Sequence, residues 1–320
     1  MVDWFVRDFR NLEKFIKFVV VGTGMISIVG ILQFVAQFIF SRDLVANFWA
    51  MLTPFFLGGV FSKSVSAYNS WYVHVAGMDI FRAIAFFPDP HVFSFYLGAI
   101  LPFALFLYIK TNKNIWLLTS IIILLADLFT FSRGGQIALI AGFLVFVFVS
   151  NKYTKTKFKH MLQVVVVISI LILSTFGSSF YDRFSSSFDM KDNSASHRIV
   201  LWKQAFQNFL ENPIIGVGLG AYPHAVDKSA DYRKPIYVHN TFLDILVESG
   251  VIGVFFFLFL IASILIVFIK NNSPYAGAGI VSISILGTHG IFDTAIFSIH
   301  VYLIFIFIVS LASYYENIKQ

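Results

Sequence analysis

The stretch H-N-T-F-L-D-I-L-V-E-S-G-V-I-G-V-F-F-F-L-F-L-I-A-S-I-L-I-V-F-I-K, His239 to Lys270, joins two kinds of sequence in one run. Its second part, Val251 to Ile269, is uncharged and apolar throughout, long enough as a helix to cross a hydrocarbon layer of roughly 30 Å. Its first part, Thr241 to Glu248, is predicted as a separate short helix with Asp244 and Glu248 on one side. A polar helix that runs directly into a span puts His239 and Asn240 at a membrane face. Working back toward Ser196, the same polar segment also gathers Arg198, His224, Arg233 and Lys234.

Composition agrees with the span. The chain has 320 residues, 58% hydrophobic and 12% charged, with a mean hydropathy of +0.80. Soluble domains average about 45–50% apolar and about 25% charged residues. A polytopic membrane protein is expected, with the lipid bilayer as its surroundings. The absence of cysteine excludes disulfides, thiolate metal sites and a cysteine nucleophile. The net charge of +6 sits at segment ends and does not indicate nucleic acid. The N-terminal apolar run from Phe15 is too long for a signal-peptide core and reads as a retained span.

Eight spans are expected: Phe15 to Phe40, His91 to Ile109, Ile115 to Phe131, Gly135 to Val149, Met161 to Phe176, Val251 to Ile269, Tyr275 to Ile296 and Ser298 to Tyr314. Leu44 to Phe61 is apolar but interrupted by Pro54 and Gly58-Gly59. Charge decides how it is read, because lysine and arginine favour the cytoplasmic side of short loops. With eight spans and both termini inside, the inner ends collect Lys110, Lys113, Lys152 to Lys159, Lys270 and the basic N-terminus. A ninth crossing would turn the Lys152 to Lys159 cluster outward. The segment 41–90 is therefore read as re-entrant or interfacial. The expected fold is an all-α integral membrane protein in three parts. These are a membrane region 1–176, a large outer loop 177–250 with short amphipathic helices, and C-terminal transmembrane helices 251–320. In that loop a helix should begin near His197, capped by Ser194 or Ser196, with Ile199, Trp202, Phe206 and Phe209 on one apolar face. Asn212-Pro213 should end it.

This topology brings Arg82, Arg133, Arg198 and His239 to the outer face. Arg133, in T-F-S-R-G-G, has two readings. It is either an interfacial anchor or a bidentate phosphate clamp whose neighbour Gly134 admits a large headgroup. Arg198 is either a solvated charge or, in the first turn of its helix, half of an anion site. Arg82 either pairs with Asp79 or Asp89 or joins the phosphate set. His239 is suited to proton transfer near neutral pH but can be structural. Asn240 can cap the following helix. His289, Asp293 and His300 are functional candidates if they lie within the hydrocarbon, and otherwise line the outer ends of the last spans. Gly216 to Gly220 (G-V-G-L-G) is a tight turn rather than a dinucleotide fingerprint. No metal-ligand spacing stands out.

Four stretches carry a resemblance. They are R-A-I-A-F-F-P-D-P-H-V-F-S-F-Y-L (Arg82 to Leu97) and F-S-R-G-G (Phe131 to Gly135). The third is R-I-V-L-W-K-Q-A-F with N-P-I-I-G-V-G-L-G (Arg198 to Gly220), and the fourth H-N-T-F-L-D-I-L-V-E-S-G-V-I-G (His239 to Gly253). In this order they resemble the O-antigen ligase and polymerase-like membrane proteins of bacterial surface-polysaccharide assembly. Ala85 stands where the family usually has Gly, and His91 follows Pro90 where Asn is usual nearby. Family members usually have more spans, so several N-terminal ones are expected to be missing here.

The resemblance implies a GT-C-like, metal-independent, inverting glycosyltransferase of the bacterial inner membrane that needs no cofactor. The glycan donor would be carried on undecaprenyl diphosphate, and the acceptor would be lipid A-core for a ligase or another glycan for a polymerase. Arg133, Arg198 and Arg82 would bind the diphosphate. His239 would act on the acceptor hydroxyl, held by Asn240 and Glu248. Two other classes stay open, a transporter or flippase of lipid-linked sugars and a non-catalytic scaffold.

Overall fold

A computed structural model describes residues 9–59, 62, 69–75, 77–153, 193–230, 237–294 and 298–317. In chain order the helices are α1 (Phe9–Ile39), α2 (Arg42–Leu57), α3 (Pro90–Thr111), α4 (Asn114–Leu128), α5 (Arg133–Ser150), α6 (Asn193–Glu211), α7 (Tyr222–Val226), α8 (Thr241–Lys270), α9 (Pro274–Gly290) and α10 (Ile299–Asn317). A hairpin of β1 (Tyr72–Val75) and β2 (Met78–Phe81) stands between α2 and α3. The hairpin was not anticipated, although Val73, Val75 and Ile80 point inward and Tyr72, His74 and Met78 outward in the alternation a half-buried strand requires.

The fold is helical, and among the described residues four helices are long and apolar enough to cross a membrane: Leu12–Ile39 within α1, α3, α5 and α8. The expected span at Met161 to Phe176 lies outside the described residues. The expected span Tyr275 to Ile296 is shorter than read, since α9 ends at Gly290 and Asp293 stands in the turn beyond it.

α3 is the centre of the bundle. It is apolar on every side, and Phe93, Phe95, Leu97, Phe103 and Phe106 are all buried, as befits a helix enclosed by others. It packs against α1, α4, α5, α9 and α10, while α9 also lies along α5. α8 instead presents Phe255, Phe256, Phe259 and Ile266 outward, the pattern of a lipid-facing helix.

Two buried amides on α1 organise the segment before α3. The Gln33 carbonyl oxygen accepts from the backbone N–H groups of Ile84 (3.0 Å) and Ala85 (2.8 Å), and its amide donates to the carbonyl of Arg82 (3.2 Å). One turn on, Gln37 accepts from Phe81 N–H and donates to the Phe81 carbonyl. They satisfy backbone groups that the hairpin leaves without ladder partners. α2 covers this segment, with Val45 and Ala46 packed on Trp71, Phe81 and Ile84.

The G-V-G-L-G motif and the E-S-G motif form one structural unit. α8 is broken at Gly250, whose φ of 64° and ψ of −165° are not helical. The break frees carbonyls one turn earlier. The Val247 carbonyl accepts from Val217 N–H and the Glu248 carbonyl from Gly218 N–H, both at 2.9 Å. In return Val251 N–H donates to the Pro213 carbonyl. A Cβ on Gly250 would lie 2.2 Å from the Ile214 oxygen, and one on Gly216 2.3 Å from the Glu248 carbonyl carbon. The tight turn read at Gly216 to Gly220 is thus present, as is the boundary between a short polar helix and a span at Gly250.

Candidate functional site

Three helix N-termini meet at one end of the bundle. Asp89 caps α3 by accepting from His91 N–H (2.7 Å) and Val92 N–H (2.9 Å). Ser132 caps α5, accepting from Gly135 N–H. Asn240 caps α8, accepting from Phe242 N–H and Leu243 N–H at 3.0 Å each. The turn after the C-terminus of α9 brings Asp293 among them. The Asp293 backbone carbonyl accepts from the Thr241 hydroxyl at 2.9 Å, which ties this turn to the start of α8.

The chemistry centres on His239. Its φ of 55° lies in the left-handed region that a residue with a bulky side chain seldom occupies, so its neighbours hold it there. Nδ1–H donates to Asp293 Oδ1 at 3.1 Å, which selects the tautomer with a lone pair on Nε2. Asp293 is mostly enclosed, with 13% of its side chain exposed, whereas His239 retains 41%. Burial pulls the His239 pKa down, but the hydrogen bond and charge of Asp293 outweigh it and raise it above the ordinary histidine value. Burial pushes the Asp293 carboxyl up, yet His239, His91 and Arg198 together hold it well below the usual carboxylate range.

Arg198 of α6 is half-buried and within electrostatic reach of His239, His91 and Asp293. α6 is anchored by Leu201 and Ala205, and its Trp202 Nε1–H donates to the carbonyl of Val238, the residue before His239. Of the apolar face read from periodicity, Trp202 and Phe209 are partly buried, with Trp202 packed on Ala205 and Val238, while Ile199 and Phe206 are exposed. Arg133 opens α5, one residue after Ser132.

Four of the expected site residues are held by packing and backbone contacts. Arg82 is 4% exposed, and it donates through Nε to the Thr130 carbonyl (2.6 Å) and through a terminal nitrogen to the Ser70 carbonyl (2.8 Å). It braces the turn that precedes α5 instead of reaching an open face. The carboxylate on His239 is Asp293, not Glu248, whose backbone instead serves the Gly216 turn. Asn240 acts through its helix cap and does not hold the imidazole. Gly134 is needed for close packing within the protein, because a Cβ there would lie 2.9 Å from Phe292 Cβ and 3.1 Å from His289 Cδ2.

Asp293 was singled out in the sequence, but its partner could not be read, because the two residues are separated by all of α8 and α9. Of its neighbours, His289 is buried and stacked on Phe95 at 3.6 Å and 4°, and His300 packs on Phe87. Among the described residues no group of three or more His, Asp or Glu side chains could hold a metal ion.

Fold and site together define a helical, membrane-type protein with a histidine–aspartate pair beside an arginine at one end of its bundle. Residues 118–258 match the family model described as O-Antigen ligase, a span that contains Arg133, Arg198 and His239. The chain is also similar to a "Putative polysaccharide ligase" of Rickettsia conorii, 26% identical over 146 residues, covering 42% of this chain and 36% of that one. A second protein of the same name, from Rickettsia prowazekii, is 24% identical over 170 residues, covering 49% of this chain and 41% of the relative. The chain thus spans well under half the length of these curated relatives. The matches bear out the resemblance to an O-antigen ligase-like family.

Proposed function

We propose that this chain is a membrane glycosyltransferase that moves a glycan from a polyprenyl (undecaprenyl) diphosphate carrier to lipid A-core. The observation that supports this most directly is the His239–Asp293 pair, its Nε2 left available and Arg198 alongside. Nε2 takes the proton of an acceptor hydroxyl as its oxygen attacks the anomeric carbon. The bond from that carbon to the diphosphate oxygen breaks, and the electron pair leaves with the lipid diphosphate. Attack opposite the leaving group inverts the anomeric configuration. Arg198 and Arg133 meet the growing negative charge with guanidinium forks, aided by the three helix N-termini. That cation set makes a metal unnecessary to the reaction as written.

In this reading the chain is a GT-C-like protein with eight spans in a bacterial inner membrane, its termini cytoplasmic and its site on the periplasmic or extracellular face. A polymerase would use the same donor and residues and differ only in its acceptor. The test supplies purified protein in nanodiscs with polyprenyl-diphosphate-linked oligosaccharide, with and without lipid A-core, and resolves the products by mass. Transfer only when lipid A-core is present supports the ligase, and growth on the donor alone means a polymerase. Arg198→Ala and His239→Ala should each abolish transfer while inserting normally, and near-normal turnover in both would overturn the assignment.

A further inference from the structure

We infer that His91 is a positioning residue that holds the Asp293 carboxylate against His239. The inference deepens the proposed role of His239 and rests on it. His91 and Asp293 both lie outside the residues that match the family model, 118–258. His91 occupies the first turn of α3, where the Asp89 cap fixes its backbone. Its Nδ1 lies 3.4 Å from Asp293 Oδ2 and 3.1 Å from Ser132 Oγ. The Ser132 oxygen is in turn 3.3 Å from His289 Nε2.

Proton placement follows from donor inventory. A carboxylate oxygen brings only lone pairs, so a proton on Nδ1 is the placement that makes the approach of His91 to Asp293 attractive. Nδ1 hydrogen-bonds Ser132 Oγ and approaches Asp293 Oδ2 at ion-pair distance, and the Ser132 hydroxyl donates to His289 Nε2. Asp293 Oδ1 meanwhile accepts from His239 and from the Thr294 N–H at 2.8 Å. The carboxylate is thereby bounded at both oxygens, hydrogen-bonded by His239 on one and approached by His91 on the other. Without His91, Oδ2 loses that neighbour and the carboxylate can turn away from His239. An outer-shell donor that fixes a carboxylate in this way tunes the imidazole it faces.

The other charged groups around this pair belong to separate elements. Arg82 faces it from the segment before α3, Arg198 from α6 and Asp244 from α8, Asp89 stands at the start of α3, and His289 ends α9. A substitution at His91 removes none of these charges and reaches His289 only through Ser132, and His91→Asn, which keeps a donor, separates the His91–Asp293 contact from loss of the ring.

The experiment is a pH titration of His239 by isotope-labelled histidine NMR on the full chain in nanodiscs, with His239→Ala identifying its resonance. Asp293→Asn should move the midpoint to lower pH. His91→Phe keeps ring volume but no donor, and should move it in the same direction and cut turnover on the order of tenfold. His91→Asn places an amide nitrogen where Nδ1 stands and should keep both near the starting protein. An unchanged or raised midpoint in His91→Phe overturns the inference, as does His91→Asn behaving like His91→Phe. The readout needs no substrate. A chain that fails to transfer glycan yet shows the expected midpoints refutes the proposed function and leaves the positioning role standing.

Discussion

At the residue scale the pH behaviour of His239 follows from its two opposing influences. Its pKa is raised above the ordinary value of about 6.5, so it carries a proton until the pH passes that raised value. Activity that needs the neutral base should therefore rise with pH through a midpoint above about 6.5. Removing the Asp293 charge leaves burial and Arg198 opposed only by the more weakly acting Asp244. The acidic limb of the pH–rate profile should then shift to lower pH in Asp293→Asn, while the plateau falls by about 10²–10⁴-fold. Stability has the matching sign. A raised histidine pKa stabilises the fold below the unfolded value, and that contribution fades as pH climbs through the folded one. Arg82 sits in different physics. Arg82→Ala should cost roughly 2–4 kcal/mol, seen as a lower unfolding midpoint in detergent, because the carbonyls of Thr130 and Ser70 lose charged donors inside the protein.

At the element scale the decisive feature is the break in α8. Gly250 combines a positive φ with a backbone approach that leaves no space for a methyl group. Gly250→Ala should cost more than about 2 kcal/mol and detach the 213–218 turn from α8. Thermal unfolding and faster proteolysis at that turn would register both effects. The same logic gives Ala85 a physical meaning. It is fully buried with a φ of 46°, a conformation better suited to the glycine that the resemblance leads one to expect there. The inner face of α6 shows how context overrides pattern. Periodicity selects Ile199, Trp202, Phe206 and Phe209, but with Trp202 donating to the Val238 carbonyl the buried side falls on Leu201 and Ala205 and leaves Ile199 and Phe206 exposed.

At the scale of the whole molecule the site occupies one end of the bundle and Lys113 the connection from α3 to α4 at the far end of α3. The proposed orientation puts these ends on opposite sides of the membrane. The chain contains no cysteine, so single reporters can be introduced without background. Ser229→Cys should react with a membrane-impermeant maleimide in intact spheroplasts, and Lys113→Cys only after the membrane is opened. Both positions are exposed. Equal labelling before opening would sink the orientation.

The sequence by itself determined the helical, membrane-type character of the chain, the boundary at Gly250, the turn at Gly216 to Gly220 and His239 as a chemical candidate. These are local properties, because apolar run length, glycine placement and residue chemistry are written in contiguous residues. Tertiary structure alone decided which charges share the site. Asp293 reaches His239 across two intervening helices, and His91 arrives from the start of the central helix. The burial of Arg82 is not legible locally, since nothing in its own stretch reveals that Gln33, Gln37 and the Thr130 turn enclose its segment. Hydrogen-bond partners distant in sequence are set by packing, and packing sums over the whole chain.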